Sequence, residues 1–169
     1  MVLIKGAKIV DGTGVKAPYA ADVLISDSKI SAIGKFPDKK ADVVIDGAGL
    51  YLTPVFIDVN TDSDHHLSLF TNPEQQDFLL QGVTTIFGGM CGSSLAPLLY
   101  GSLDSIRKWT DTTQVNINWR SMKEFLKVLN QRSLGVNFGT LIGHSTIRRA
   151  MVGEDSRDLT VPELQSFKK

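Results

Sequence analysis

The stretch QGVTTIFGGMCGSSLAP, residues 81–97, decides the fold class of this chain. Its first half is apolar and β-branched, which predicts a buried strand over Val83–Gly88. Glycines then surround Cys91, the only cysteine in the sequence. Parallel α/β proteins carry their functional side chains where strands end, so this position favours a metal ligand or a reactive thiol. A free cysteine is more often a small buried hydrophobe, and the stretch alone leaves both interpretations open.

Strand and helix signals alternate along the rest of the chain after Leu50. Apolar runs predict further strands at Phe56–Val59 and Val136–Ile142. Capping residues and helical spacing predict helices at Asn72–Gln81, at Leu103–Lys108, after the capping box Ser121–Glu124 and from Thr160. Such alternation is typical of parallel βαβ units, and about three of them fit into residues 54–169.

The first 53 residues have a different pattern, with short β-branched runs separated by turn residues. This density of turns favours a small antiparallel β unit. We therefore divide the chain into an N-terminal β segment, residues 1–53, and an α/β segment, residues 54–169. Strands are predicted at Val2–Lys5, Lys8–Val10, Asp22–Ser26, Lys29–Ile33 and Asp42–Asp46.

Composition narrows the function classes. The chain has 169 residues, of which 42% are hydrophobic, and 18 basic side chains balance 18 acidic ones. A packed globular core is expected, while nothing indicates a nucleic-acid surface or a membrane span. The apolar start is too short for a secretory signal, and one cysteine excludes an intrachain disulfide framework. These features predict a soluble cytoplasmic protein.

The length of the α/β segment leaves two architectures open. A closed eight-stranded barrel needs roughly 200 residues or more, so the segment is either a small open sheet or the front of a larger barrel. The last predicted helix is cut short at Lys169, which favours the second architecture. We expect a fragment, a truncated gene product or half of a split protein. Its unpaired sheet edges would favour self-association or a second chain.

Several of these segments resemble a known family. Ala21–Ile25 with Lys29–Gly34 is similar to the N-terminal β segment of the amidohydrolase superfamily, and Pro54–Val59 is similar to its first barrel strand. Residues 81–97, together with Gly143–Arg148, resemble the N-acyl-D-amino-acid deacylases, also called D-aminoacylases. The resemblance runs over nearly the whole chain and covers the front third of such an enzyme.

The resemblance implies an α/β fold: a truncated, TIM-type (β/α)8 barrel of a metal-dependent hydrolase, with residues 1–53 forming part of a composite β-sandwich. It also implies zinc-assisted hydrolysis of N-acyl-D-amino acids, in which zinc polarises the carbonyl and lowers the pKa of bound water. Cys91 would bind zinc with two histidines from later strands, and a later aspartate would be the acid/base group. Because those partners lie outside the chain, residues 1–169 alone are predicted to be inactive.

The first predicted barrel strand departs from the family pattern. The family has two histidines in a His-x-His motif, and alternation along an extended segment points both at one metal. This chain has Asn60 and Asp62 there. Asp62 offers a carboxylate oxygen, but Asn60 offers only a neutral carbonyl, which is a poor zinc ligand. Val55 also replaces a family glycine, and Met90 replaces the asparagine that usually precedes the cysteine.

These departures leave alternatives open. The chain is a divergent hydrolase, a degenerate non-catalytic homologue, a protein with engineered substitutions, or one half of a barrel that a partner chain completes. A small open α/β binding protein without enzymatic descent is a further alternative.

Histidines give two more candidate positions. Asp62, Asp64 and His66 stand at alternate positions and are either a replacement metal site or a solvated loop. The loop is favoured because Ser and Asp in this segment promote turns. His144 is predicted to end the third strand, where it would either contact substrate near the metal or fix the following turn. Trp109 and Trp119 are interpreted as packing residues.

Overall fold

The computed structural model describes residues 1–99, 106–107 and 110–167. They fall into two compact units, residues 1–55 and residues 56–169. The helix predicted at Leu103–Lys108 lies mostly outside the described residues, as does Trp109. Across the described part of the chain, we find no helix with the length and apolar character needed to cross a membrane.

The first unit is a five-stranded sheet in which β1 is central. Strand β1 pairs antiparallel with β2, and β2 pairs antiparallel with β3. Strands β4 and β5 both run parallel to β1, so the prediction of an antiparallel unit is wrong for them. The strands are β1 Val2–Ile9, β2 Tyr19–Ser26, β3 Lys29–Gly34, β4 Val43–Asp46 and β5 Tyr51–Leu52.

The parallel course of β4 follows from where its chain segment returns. The amide of Asp42 donates to the carbonyl of Met1 at 3.1 Å, and the N-terminal ammonium lies 2.6 Å from the Asp42 carboxylate. Strand β4 therefore starts beside the start of β1 and runs in the same direction. A local strand pattern does not tell at which end of the sheet the next strand begins. The parallel direction of β4 could therefore not be predicted from its sequence.

Two predicted strands at the start of the chain are one strand, β1, with an irregularity in its middle. The pairing register with β2 shifts between Ile4 and Ala7, and Gly6 there has a φ of 70°. Glycine adopts this left-handed conformation without steric cost. The side chain of Asp22 fixes the irregularity, because its Oδ1 accepts a hydrogen bond from the Gly6 amide at 2.8 Å.

Asp22 also gives the first unit a testable pH dependence. Its carboxylate accepts from the amides of Phe36 and Gly6, each at 2.8 Å, and these bonds lower the pKa of the Asp22 carboxyl. Because the folded pKa is depressed, the stabilisation is present above the unfolded pKa, which is about 3.9 for aspartate. It is lost as the pH falls through the lower, folded pKa.

We expect Asp22→Asn to destabilise the first unit at pH 7, and this deficit to shrink as the pH falls below about 4, the ordinary aspartate range. Asparagine imitates the protonated carboxyl, so the two proteins converge in acid. Amide hydrogen exchange at Gly6 and Phe36 measures the difference. A deficit of the same size at pH 7 and at pH 3 would contradict the assigned role of the charge.

The second unit contains a three-stranded parallel sheet in the order β6-β7-β8, as the alternation of strands and helices predicts. Strand β7 has the predicted bounds, while β6 and β8 are shorter than the apolar runs suggest. The elements are β6 Phe56–Asp58, α1 Ser68–Thr71, α2 Gln76–Leu79, β7 Val83–Gly88, α3 Met122–Asn130, β8 Asn137–Thr140, α4 His144–Val152 and α5 Val161–Phe167. A single 3-10 turn lies at Thr112–Gln114 among the described residues.

The helix predicted at Asn72–Gln81 is wrong. Only the four-residue helix α2 lies within this range, since α1 ends at Thr71, and Gln75 between the two helices has a left-handed φ of 48°. The buried Gln75 amide donates to the carbonyls of Asn72 and Ser68 at 2.6 and 3.0 Å and accepts from the Ser63 hydroxyl at 3.0 Å. The Gln75 side chain can make these hydrogen bonds only when the backbone at Gln75 is not helical. The hydrogen bonds therefore outweigh the local preference for a helix.

The capping box before α3 is confirmed. Ser121 accepts from the amide of Glu124, and the Glu124 carboxylate accepts from the amide of Ser121. Helix α3 buries Phe125 and Leu129, which join the main core of the second unit. Trp119 lies in the same core and stacks on Phe70 with ring centroids 5.3 Å apart, which agrees with its interpretation as a packing residue.

Candidate functional site

The carboxyl ends of the three parallel strands lie at one edge of the second unit. Beyond β6, the amide and hydroxyl of Thr61 both donate to the carbonyl of Phe87 in β7, at 3.0 and 2.8 Å. Beyond β8, the amide of Leu141 donates to the carbonyl of Gly88 at 3.1 Å. The segments that follow the strands are therefore hydrogen-bonded to the end of β7, which is where functional side chains of parallel sheets gather.

Cys91 lies in a tight turn just beyond β7, and its side chain is exposed. The interpretation as a small buried hydrophobe is therefore wrong. The residue has a φ of 54°, a left-handed conformation that is uncommon for any residue other than glycine. The amide of Ser93 closes the turn by donating to the carbonyl of Met90 at 3.1 Å.

The turn packs against the start of helix α4. The carbonyl of Gly92 accepts from the amides of Ser145 and Thr146 at 2.7 and 3.3 Å, so two amides of the first helical turn are satisfied by this loop. The hydroxyl of Ser94 accepts from the amide of Gly143 at 3.0 Å. A Cβ atom at Gly143 would lie 2.4 Å from the Gly92 carbonyl oxygen, so only glycine permits this approach.

Asp64 and His65 contact the turn from the other side. Asp64 is only 1% exposed, and its Oδ2 accepts from the amide of Gly89 at 2.7 Å. Burial raises the pKa of the Asp64 carboxyl, and the Gly89 amide and His65 oppose this effect. Asp64 Oδ1 is buried without a hydrogen-bond partner in the described part of the chain. His65 is 4% exposed, and its Nε2 lies 3.1 Å from the Ser93 carbonyl oxygen.

The structure corrects both interpretations of the segment around Asp62. Asp62 and His66 are exposed, but Asp64 is buried, so the three side chains do not share one face. Asp62 Oδ1 instead lies 3.2 Å from His65 Nδ1. Within residues 1–99, 106–107 and 110–167, no three His, Cys, Asp or Glu side chains form a group that could hold a metal ion. The replacement metal site is therefore wrong. The solvated loop is wrong for its buried members, Thr61, Ser63, Asp64 and His65.

Two of the predicted metal ligands border a groove that Cys91 does not line, as far as the described residues show. Asn60 and Asp62 are both exposed and border an open groove of about 330 Å³. Cys91 is not among the described residues of that groove, which are Asp58, Asn60, Thr61, Asp62, Ser63, His66, Ser68, Asp77 and Phe78. The described residues thus offer one exposed thiol at the edge of the sheet and not a complete zinc ligand set.

His144 does not end the third strand, because β8 stops at Thr140. It is the first residue of α4, where Gly143 is the N-cap, and its side chain is exposed. The ring centroids of His144 and Phe167 in α5 lie 4.9 Å apart. A role for His144 in substrate binding stays a prediction.

The sequence analysis missed His65 as a contact of the Cys91 turn. Its only local signal is its place between Asp62 and Asp64, two acidic side chains that the structure puts within 3.2 and 3.9 Å of the imidazole. The partner of that imidazole on the turn, the Ser93 carbonyl, is 28 residues away in sequence.

Known proteins resemble both the sequence and the fold. The chain is 32% identical over 161 residues to N-acyl-D-aspartate deacylase from Alcaligenes xylosoxydans xylosoxydans, which covers 95% of this chain and 32% of that protein. The solved N-acyl-D-glutamate deacylase of Bordetella bronchiseptica, in complex with zinc and a phosphonate inhibitor, matches with a TM-score of 0.78 and 27% identity. That match covers 99% of this chain and 34% of the solved one.

A solved D-aminoacylase, which defines a subset of amidohydrolases, matches 98% of this chain and 34% of its own with a TM-score of 0.79 and 30% identity. No family model matches the sequence. The fold and these similarities relate the chain to the amidohydrolases.

More narrowly, the chain is a relative of the N-acyl-D-amino-acid deacylases and resembles their N-terminal part. It spans about a third of the length of the curated relatives that it matches.

Proposed function

We propose that this chain forms the first part of a (β/α)8 barrel which, when complete, hydrolyses N-acyl-D-amino acids with the help of zinc. The observation that carries the proposal is the exposed Cys91 thiol beyond β7, at the carboxyl edge of a parallel sheet. The resemblance assigns a zinc ligand to this position. The relatives support the substrate class, since one is an N-acyl-D-aspartate deacylase and another is solved with zinc and an inhibitor.

The surface of the sheet supports completion by more polypeptide. Phe56 and Ile57 are neighbours in β6, and they are 56% and 60% exposed. Parallel sheets are normally covered on both faces. We propose that further barrel elements cover β6, whether they belong to the same polypeptide or to a second chain. Residues 1–53 would contribute to a composite β-sandwich in the same assembly.

Zinc needs ligands that the described residues do not supply. Cys91 would contribute one thiolate, and the two histidines that the resemblance implies would come from outside this chain. Asp62 is a further candidate ligand, and Asn60, at a family histidine position, is a weaker one. Zinc bound by a complete set would act as a Lewis acid in amide hydrolysis. We propose a cytoplasmic location for the assembled protein, since nothing in its composition points to a secreted disulfide framework.

Residues 1–169 alone are expected to show no hydrolysis of N-acetyl-D-amino acids. The same residues, joined to the C-terminal two-thirds of D-aminoacylase, are expected to bind zinc and to hydrolyse these substrates. Product formation and zinc content are measured for both proteins, and intact D-aminoacylase is assayed in parallel. Hydrolysis by the isolated chain would contradict the proposal, because one thiol cannot supply a zinc ligand set.

The second candidate function is a non-catalytic homologue. It is favoured by Asn60 and Asp62, which stand where the family has its His-x-His pair. A joined protein that folds and holds zinc, but does not hydrolyse any substrate, would support this candidate. Asn60→His with Asp62→His in the same protein would then be expected to restore hydrolysis, because both imidazoles return to positions that alternate along the chain.

A further inference from the structure

We infer that Asp64 and His65 are positioning residues that hold the Cys91 turn in its left-handed conformation. Neither residue belongs to the ligand set that the resemblance implies. Both are buried, although they carry ionisable side chains and follow a short strand. Their contacts with the turn are made to the backbone on either side of Cys91.

The conformation of Cys91 requires such support. Its φ of 54° lies in a region that is unfavourable for a non-glycine residue, and such a conformation persists only where the surroundings over-determine it. Left to itself, the turn would relax to other backbone angles, and the thiol would point elsewhere. The position of the thiol is therefore decided by what holds the flanking backbone.

Asp64 and His65 hold the two flanks separately. Asp64 Oδ2 accepts from the amide of Gly89, two residues before Cys91, at 2.7 Å. His65 Nε2 lies 3.1 Å from the carbonyl of Ser93, two residues after Cys91, and donates to it. The start of α4 contacts the same turn through the Gly92 carbonyl. Cys91 is thus the exposed tip of a turn whose backbone is fixed before and after it.

The space around Asp64 suits its contact with the Gly89 amide. A Cβ atom at Gly88 would lie 2.7 Å from Asp64 Cγ, so the carboxyl group occupies room that only a glycine leaves. Burying a carboxyl group with one unpartnered oxygen is unfavourable. A role in placing the Cys91 turn explains why a carboxyl group is buried at position 64. An apolar side chain could not accept the hydrogen bond from the Gly89 amide.

Amide hydrogen exchange tests this inference on residues 1–169. In Asp64→Ala and in His65→Ala, we expect the turn amides of Ser93 and Ser145 to exchange about tenfold faster, as the loss of a hydrogen bond of ordinary net strength predicts. The amides of β7 should keep their protection, which separates a loosened turn from general unfolding. If Asp64→Ala does not fold, His65→Ala tests the other flank by itself.

Conservative variants separate positioning from bulk packing. Asp64→Asn keeps an oxygen that accepts the Gly89 amide, and His65→Gln keeps a donor for the Ser93 carbonyl, so both should retain most of the protection. His66→Ala is the matched control, because His66 is the exposed neighbour of His65. Unchanged exchange at Ser93 and Ser145 in both alanine variants would overturn the inference, and so would equal loosening in the alanine and conservative variants.

The consequence for zinc rests on the proposed function, whereas the effect on the turn does not. In the protein joined to the D-aminoacylase barrel, zinc affinity should fall about 10–100-fold in His65→Ala, the range known for groups that orient a ligand. If the turn amides exchange faster in His65→Ala but the zinc affinity does not change, His65 still positions the turn, and Cys91 is not a zinc ligand. A change in zinc affinity with unaltered exchange would refute the positioning role.

Discussion

Cys91→Ser in the joined barrel is expected to lose tightly bound zinc and at least about 100-fold of the hydrolytic activity. Outer partners of metal ligands typically account for about 10–100-fold, and a direct ligand should exceed that range. Serine is close in size to cysteine but is a far weaker zinc ligand than a thiolate. Metal content after dialysis and the rate of N-acetyl-D-amino-acid hydrolysis measure the two effects.

The matched control is Met90→Leu, which removes the neighbouring sulfur in the same turn with little change in volume. It should keep zinc and activity, because the resemblance assigns no ligand to this position. Full zinc content and full activity in Cys91→Ser would show that the thiol is not a ligand. The enzyme interpretation of this turn would then have to be abandoned.

Trp119→Ala is expected to destabilise the second unit by about 3–5 kcal/mol, the usual range for removing a large buried aromatic side chain. Trp119 is 2% exposed, stacks on Phe70 and packs against Phe125 at 5.4 Å between ring centroids. Its indole Nε1 donates to the carbonyl of Leu95 at 2.7 Å. This one side chain therefore links the segment that follows the Cys91 turn to the core.

Urea unfolding monitored by circular dichroism measures the loss. Trp119→Phe keeps a ring but leaves the buried Leu95 carbonyl without its donor, so about 1–3 kcal/mol should be lost. Leu80→Ala is the control, since Leu80 is 87% exposed and surface changes stay within about 0.5 kcal/mol. A loss below about 1 kcal/mol in Trp119→Ala would show that the aromatic cluster does not stabilise this unit.

Local patterns predicted those elements whose signals lie within a few residues. The apolar run of β7 and the capping box of α3 occur as predicted, and the predicted strands at Asp22–Ser26 and Lys29–Ile33 pair through a turn at Asp27 and Ser28. Asp27 and Ser28 have φ values of 51° and 59°, which suits a two-residue hairpin turn. Each of these features is decided by residues close to it in sequence, so a local pattern is enough to predict it.

Local patterns failed where distant partners compete with them. Asn72 and Pro73 do favour the start of a helix. The buried Gln75 side chain, however, reaches its hydrogen-bond partners only when the backbone at Gln75 is not helical. The direction of β4 depends on the contact between Asp42 and the N-terminus, 41 residues away. Propensity is a weak prior in such cases, because tertiary contacts contribute more than the difference in local preference.

The sequence by itself determined that a lone cysteine follows a strand of a parallel sheet, and it identified the family that this arrangement resembles. Only the tertiary structure decided that the thiol is exposed, that Cys91 has a left-handed backbone, and that Asp64 and His65 are buried beside its turn. The bonds that fix the turn join residues 25 and 28 positions apart. Strand burial is a local consequence of composition, whereas the direction of a side chain at a strand end is decided by such distant hydrogen bonds.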